Sequence, residues 1–120
     1  MLLFRTLRDA RELRYVQRRS HETLDSAILP HLLLIESNSC GLVGFLVLSG
    51  SYLHLLHIFP DIRGHGWGKA SVDLLITLVD SPISLLATPS SYGFWHRQSF
   101  TTKKVLNSHC RGCVEMRNKW

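Results

Sequence analysis

The sequence has few cysteines, no long hydrophobic run and a low content of charged residues. Its 120 residues include three cysteines, an odd number that does not indicate the paired disulfide framework of a small secreted protein. Every apolar run is far shorter than the roughly 18–20 residues that a membrane-spanning helix needs. These absences predict a cytoplasmic protein with reduced thiols, no membrane contact and one domain over residues 1–120.

Positive charge is concentrated at the two ends of the sequence. The chain has 14 Lys and Arg residues against 9 Asp and Glu residues, which gives a formal net charge of +5 and a pI near 9.5. Residues 1–20 contain six arginines and two acids, residues 97–120 contain six basic residues and one acid, and the region between them is acidic. Either the basic ends meet an anionic partner, or they are solvated helix and tail surfaces.

Hydrophobic periodicity and turn residues predict a mixed α/β (α+β) domain. Asp9 and Glu12 form a capping-box pattern for a first helix, whose buried side would include Leu13, Val16 and Leu24. Further helices are predicted over 69–79 and 90–97, and strands over 2–7, 31–36, 40–48, 52–59, 83–87, 102–106 and 113–117. The predicted order is therefore β-α-β-β-β-α-β-α-β-β.

The most specific local feature is a glycine-rich loop between a predicted strand and a predicted helix. It reads Arg63-Gly64-His65-Gly66-Trp67-Gly68, and its glycines permit a tight bend and a close approach to a ligand. Because the loop opens a helix, its free N–H groups and the helix dipole favour a phosphate or pyrophosphate. The spacing fits neither a Walker A loop nor a Rossmann fingerprint. A glycine-rich turn without a ligand is the alternative interpretation.

Two segments together resemble the GNAT superfamily of N-acetyltransferases. Arg63-x-x-Gly66-x-Gly68, preceded by a strand and Pro60 and followed by an amphipathic helix, is similar to its acyl-CoA-binding motif. The later segment Gly93-Phe94-Trp95-His96-Arg97-Gln98-Ser99-Phe100 resembles its helix-to-strand element, usually Phe-Tyr-x-x-x-Gly-Phe. The order of elements also agrees, although the usual two N-terminal helices are reduced to one. The resemblance implies a mostly antiparallel central sheet, splayed between strands 4 and 5 and flanked by helices.

The resemblance also implies acetyl-CoA as the cosubstrate of an N-acetyltransferase. The pantetheine arm would lie between strands 52–59 and 83–87 and pair with backbone groups of Leu56 and Ile58, while main-chain N–H groups of residues 64–69 would hold the pyrophosphate. The implied cofactor contacts are Leu56, His57, Ile58, Arg63, Gly64, His65, Gly66, Trp67, Gly68 and Lys69. The acceptor would be a primary amine on a small molecule, on a protein, or on an aminoacyl-tRNA. The last is included because some toxins of the superfamily acetylate charged tRNA and both ends of this chain are basic.

Tyr52 and His54 are the candidates for removing a proton from the acceptor amine. Regular strand alternation predicts Tyr52, His54 and Leu56 on one face and His57 on the other. In the serotonin N-acetyltransferase branch two histidines relay this proton, and their positions match Tyr52 and His54, so only the second is retained. An imidazole has an ordinary pKa of about 6.5, which suits a base near neutral pH. The alternative for His54 is a structural, hydrogen-bonded role, and the side chain of His57 is expected to be structural.

The group that would protonate the leaving thiolate departs from the superfamily pattern. The usual tyrosine falls on Trp95, whose indole N–H donates hydrogen bonds but is no practical proton donor. Either Tyr92 substitutes for it, or the thiolate leaves without enzymatic protonation. Ser99 replaces the usual glycine, and a positive φ there would cost about 1 kcal/mol. These departures keep a second interpretation open, a non-catalytic acyl-CoA-binding or protein-interaction module.

Cys110 and Cys113 form only half of a metal-binding motif. A structural zinc site needs four ligands, and Cys40 is the only other thiol, so we interpret the pair as ordinary thiols and predict no metal. The expected partners are acetyl-CoA and an amine acceptor. A tRNA or an acidic partner at the basic ends, and a homodimer, are left open.

Overall fold

The computed structural model describes residues 1–105 and 111–118, and its helices and strands follow the predicted order. The strands are β1 Leu2–Arg5, β2 Leu32–Ser37, β3 Gly41–Ser49, β4 Tyr52–Ile58, β5 Ser84–Ala87, β6 Thr101–Val105 and β7 Val114–Arg117. The helices are α1 Ala10–Ser20, α2 Trp67–Leu78 and α3 Tyr92–Arg97, with single 3-10 turns at Leu29–His31 and Pro60–Ile62. The predicted α/β class is confirmed.

The described strands form one sheet in the order β1-β2-β3-β4-β5-β7-β6. The β4–β5 pair is parallel, because the crossover through α2 returns the chain in the same direction, and the other pairs of described strands are antiparallel. The parallel pairing joins only Tyr52 to Ser84 and Leu53 to Leu85. Beyond Leu53 the two strands separate, which confirms the predicted splay between strands 4 and 5.

The first helix is fixed at its start by the predicted cap and by an ion pair. The backbone N–H of Glu12 donates to Asp9 Oδ1 at 2.8 Å. The reciprocal half of the capping box is not formed, because the Glu12 carboxylate accepts the N–H of Arg8 at 2.9 Å and the guanidinium of Arg5 at 2.6 Å. Glu12 therefore takes part in the cap of α1 and also links α1 to Arg5 of β1.

The sheet buries apolar side chains on both faces. On one face, Val72 and Leu75 of α2 pack with Leu53 and Leu85 of the sheet. On the other face, Val16 of α1 packs in a second cluster with Leu24, Leu32, Leu34, Phe45, Val47 and Phe59. Leu24 is buried as predicted, but it lies after the end of α1. Each face of the sheet is thus covered by one of the two longer helices.

Strand β4 contains a bulge at His54 that the sequence analysis did not predict. Leu53 pairs with Leu48 and Leu55 pairs with Val47, so His54 is the extra residue. Leu53 and Leu56, three positions apart, consequently both pack in the cluster on the α2 face. The prediction that Leu56 shares a face with Tyr52 and His54 is therefore wrong.

Ser99 occupies the turn between α3 and β6 in the left-handed conformation, with φ of 68°. This is the position where the resemblance implies a glycine. The backbone N–H of Ser99 donates to the carbonyl oxygen of His96 at 3.1 Å, which closes the turn. The turn therefore does require a positive φ at position 99. This conformation is strained for serine, because its Cβ crowds the backbone, and it would not be strained for glycine.

Candidate active site

The glycine loop turns the chain from β4 into α2 through two left-handed glycines. Gly64 has φ of 87° and Gly66 has φ of 83°, and a Cβ added at either position would meet no atom within 4 Å. Gly66 is the N-cap residue of α2, and its carbonyl oxygen accepts the N–H of Ala70 at 3.0 Å. The first-turn N–H groups of α2 have no acceptor within the helix, and there is open space at Gly64 and Gly66 just before them.

A first cavity of about 400 Å³ runs from this loop along β4. It is lined by Leu56, Ile58, Arg63, Gly64, Gly66, Trp67, Gly68 and Lys69, together with Ile62, Ser91, Phe94 and Trp95. The structure thus brings together all the predicted cofactor contacts except His57 and His65. Gly68 allows α2 and α3 to approach at this point, since an added Cβ would lie 3.3 Å from the ring of Phe94.

The two basic side chains of the loop already have partners in the protein. Arg63 Nε donates to the carbonyl oxygen of Ile58 at 2.8 Å, and Lys69 Nζ lies 2.9 Å from Asp73 Oδ2. The carbonyl group of Ile58, a predicted pantetheine contact, is therefore occupied by Arg63. An anion at the loop would be met chiefly by backbone N–H groups and the dipole of α2.

A second cavity of about 230 Å³ lies in the opening between β4 and β5. Leu53, His54 and Leu55 of β4 and Leu85 and Leu86 of β5 line it, with Thr88. It shares Leu56, Ser91 and Trp95 with the first cavity, so the two cavities meet at these residues.

The candidate catalytic residues are not all gathered at this junction. His54 lines the second cavity, and its ring meets that of Tyr52 edge-on at 4.7 Å. Trp95 is 7% exposed and lines both cavities, packed edge-on against Phe94 and Phe100. The structure therefore brings His54 and Trp95 to one cavity.

Tyr92 lies apart from this site. It stacks on His96 with ring centroids 5.8 Å apart, and its hydroxyl oxygen accepts a hydrogen bond from Thr102 at 3.4 Å. Its side chain is exposed, and it is not among the residues that line either cavity. Tyr52 likewise contacts His54 without lining a cavity.

His57 is buried on the opposite face of β4. Its ring stacks on Phe45 at 5.1 Å and meets Phe59 edge-on at 6.4 Å, and its Nε2 has no hydrogen-bond partner among the described residues. Burial lowers the pKa of His57, and the nearby positive charge of Arg63 lowers it further. The side chain of His57 is thus a packing group that lines neither cavity.

Part of the N-terminal positive charge is paired inside the protein. Arg5 contacts both Glu12 and Glu36, and Arg19 contacts Asp61 at 3.2 Å. The hydrogen bonds from Arg5 lower the pKa of Glu12 to about 2. The other four arginines of residues 1–20, namely Arg8, Arg11, Arg14 and Arg18, are exposed.

The described residues contain no group of three or more His, Cys, Asp or Glu that could hold a metal ion. Cys113 is buried and disulfide-bonded, which corrects the interpretation of this residue as an ordinary thiol. Cys110, which we also interpreted as an ordinary thiol, lies outside the described residues. No helix within residues 1–105 and 111–118 combines the length and apolar character needed to span a membrane.

Several lining residues were not singled out from the sequence. Phe94 belongs to the segment 93–100 that resembles the GNAT superfamily, so the sequence did contain a signal for its place in the site. Leu55 and Leu86 carried no such signal, because the bulge that turns Leu55 toward the opening follows from strand pairing and not from the local pattern.

The described fold is similar to solved acetyltransferase structures, whereas no protein-family model and no curated protein matches the sequence. Arabidopsis thaliana Naa50, in complex with the bisubstrate analogue CoA-Ac-MVNAL, has a TM-score of 0.74 at 14% identity, with 99% of each chain covered. The PaiA N-acetyltransferase of Thermoplasma acidophilum, in complex with coenzyme A, has a TM-score of 0.69 at 14% identity, covering 100% of this chain and 99% of that one. A GNAT-family acetyltransferase of Bacillus cereus has a TM-score of 0.70 at 12% identity, with coverage of 98% and 94%. The chain therefore has a GNAT-type fold.

Proposed function

We propose that this protein is an acetyl-CoA-dependent N-acetyltransferase that acts on a primary amine by direct attack. The observation that carries the proposal is the opening of the sheet after Leu53, which connects the glycine loop at the start of α2 to the cavity beside His54. A cosubstrate with a phosphate group at one end and a reactive group at the other suits such a channel.

The lining of the first cavity suits the chemistry of acetyl-CoA. The open space beside Gly64 and Gly66 leaves room for a pyrophosphate next to the backbone N–H groups of α2. Leu56, Ile58 and Phe94 offer an apolar wall to the pantetheine arm. The ligands named for Naa50 and PaiA, a CoA-peptide conjugate and coenzyme A, support the same assignment.

The chemistry would occur where the two cavities meet. The neutral nitrogen of the acceptor attacks the thioester carbonyl carbon, a C–N bond forms, the C–S bond breaks, and CoA departs as a thiolate. The nitrogen loses one proton in this exchange, and His54 is the titratable side chain in the second cavity that can accept it. The thiolate takes its proton from water, because Trp95 is not a practical acid and Tyr92 lies apart from both cavities.

The acceptor classes that we retain are a small-molecule amine, a protein amine and an aminoacyl-tRNA. The peptide part of the analogue bound to Naa50 supports a peptide N-terminus. The exposed arginines of α1 are the feature that would favour a nucleic acid. A second candidate function is a non-catalytic acyl-CoA-binding module, which is favoured by the tryptophan at position 95.

Two measurements on the same preparation test the proposal. Calorimetry with CoA is expected to show saturable one-to-one binding, and acetyl-CoA with a panel of primary amines and charged tRNA is expected to release free thiol at an amine-dependent rate. Saturable binding without thiol release from any acceptor would favour the module. An absence of CoA binding would exclude both functions.

A further inference from the structure

The second cavity lies where an acceptor would have to approach the reactive end of the cosubstrate. It begins at Leu56, Ser91 and Trp95, where the first cavity ends, and continues into the opening between β4 and β5. The first cavity leads back to the glycine loop. If CoA occupies that path, as the proposed function requires, the second cavity is left for the acceptor.

Most side chains that line the second cavity are apolar, and none of its described lining residues is acidic, lysine or arginine. Leu55, Leu85 and Leu86 are among its apolar side chains, His54 is the one titratable side chain among its described lining residues, and Thr88 and Ser91 contribute hydroxyl groups. A second charge on the acceptor would have no opposite charge to pair with here, and burying an unpaired charge is strongly unfavourable.

The volume of the cavity also limits the acceptor. Its roughly 230 Å³ is below the range of about 300–1,000 Å³ that is typical of small-molecule sites. The loop side of the first cavity, in contrast, has the basic residues Arg63 and Lys69. The charged side chains among the described lining residues are therefore at the loop end of the first cavity.

We infer that the acceptor is a primary amine carried on a compact, uncharged, apolar group, and that this group packs against Leu55 and Leu86. The inference rests on the proposed function and narrows it to one substrate class. The apolar group comes either from a free amine or from the first residue of a peptide, since the same chemistry serves both.

Leu55 offers a way to test the cavity without disturbing the cofactor site. Its side chain is 38% exposed and lines the second cavity but not the first, so a charge there is compatible with folding and with CoA binding. Leu55→Glu adds a carboxylate to the acceptor cavity. Leu78→Glu is the matched control, because Leu78 is 61% exposed at the end of α2 and lines neither cavity.

The experiment measures thiol release from acetyl-CoA with acceptors that differ in charge. Phenethylamine and isoamylamine are compared with putrescine and glutamate, and a peptide that begins with leucine is compared with one that begins with aspartate. We expect kcat/KM to be at least about tenfold higher for the apolar member of each comparison. In Leu55→Glu this preference should fall at least about tenfold and shift toward putrescine, while CoA affinity and the behaviour of Leu78→Glu stay as in the wild type.

The failure of this inference is distinguishable from the failure of the proposed function. Faster turnover of glutamate, putrescine or the aspartate peptide by the wild type would overturn the inference and leave the acetyltransferase intact. If CoA binds but no acceptor is acetylated, calorimetric titration of phenethylamine into the CoA-loaded protein tests whether the second cavity binds an apolar amine. Binding that Leu55→Glu abolishes would support the inference, and no binding would overturn it. An absence of CoA binding would overturn both.

Discussion

At the scale of single residues, the two histidines of β4 have opposite environments. His54 is exposed at the second cavity beside Tyr52, whereas His57 is buried between Phe45 and Phe59, and no described residue is a hydrogen-bond partner of its Nε2. Position along the strand does not separate these roles, because the bulge at His54 changes which side chains share a face. Each histidine therefore makes its own prediction.

Replacing His54 with alanine should slow acetyl transfer without weakening CoA binding. A general base typically contributes about 10²–10⁴-fold to the rate, so kcat at pH 7 should fall by at least about tenfold. The shape of the pH–rate profile should also change. A pH–rate profile that is the same in both proteins would remove His54 from the mechanism.

The buried neutral His57 should make the protein less stable in mild acid. Its pKa in the folded protein is lowered, so the unfolded chain binds more protons as the pH falls below the unfolded value of about 6.5. The stability is fully present above that value and is lost as the pH falls through the folded pKa. Urea unfolding between pH 7.5 and 5.5 (roughly one unit either side of the unfolded pKa) should show this loss, and His57→Leu should reduce it. His31→Leu, at an exposed position, is the control and should retain the wild-type slope.

Ser99 should be replaceable by glycine with a gain in stability. Its φ of 68° is unfavourable for a residue with a Cβ, and glycine relieves that strain. We expect Ser99→Gly to raise the free energy of unfolding by about 0.5–1 kcal/mol in chemical denaturation. Ser90→Gly, at an exposed position without positive φ, should give no gain.

At the scale of elements, α1 is held to the sheet by an ion pair as well as by its apolar face. Glu12 joins the N-cap region to Arg5 of β1, and Arg5 also contacts Glu36 of β2. Both side chains of the Arg5–Glu12 pair are largely buried, so removing one charge leaves the other without its partner.

Glu12→Gln should accordingly lower the free energy of unfolding at pH 7 by roughly 1–3 kcal/mol. The lowered pKa of Glu12, about 2, means that this stabilisation is present above the unfolded value near 4.5 and disappears as the pH falls toward 2. Denaturant titrations at several pH values measure it. Glu22→Gln, at an exposed position, is the control, and an equal loss in both variants would show that the ion pair has no special role.

The elements also show how much of the fold the sequence could predict. Hydrophobic periodicity gave the order of strands and helices, and the resemblance at the glycine loop gave the splay between β4 and β5. The bulge at His54 was not predictable, because it arises from pairing with β3 and from packing of both Leu53 and Leu56 under α2. The lining of the second cavity depends on that bulge, so the local sequence pattern did not predict it.

At the scale of the whole molecule, some of the positively charged side chains make contacts inside the protein and others are exposed to solvent. Arg5 and Arg19 are used in internal ion pairs, and Arg63 donates to the carbonyl oxygen of Ile58. The charges that reach solvent without such contacts include Arg8, Arg11, Arg14 and Arg18 on and beside α1. Net charge alone therefore overstates how much of the basic surface is available to a partner.

The central claim is that the glycine loop and the opened sheet hold acetyl-CoA, and calorimetric titration with CoA tests it most directly. Gly66→Asp should abolish binding, because an aspartate at φ of 83° is strained and its carboxylate repels the pyrophosphate at the start of α2. Gly50→Asp is the matched control, since Gly50 also has a positive φ with open space around it but lies in the β3–β4 turn. The wild type and Gly50→Asp should bind CoA saturably, and Gly66→Asp should not bind it. Equal affinity in all three proteins, or no binding by the wild type, would contradict the claim.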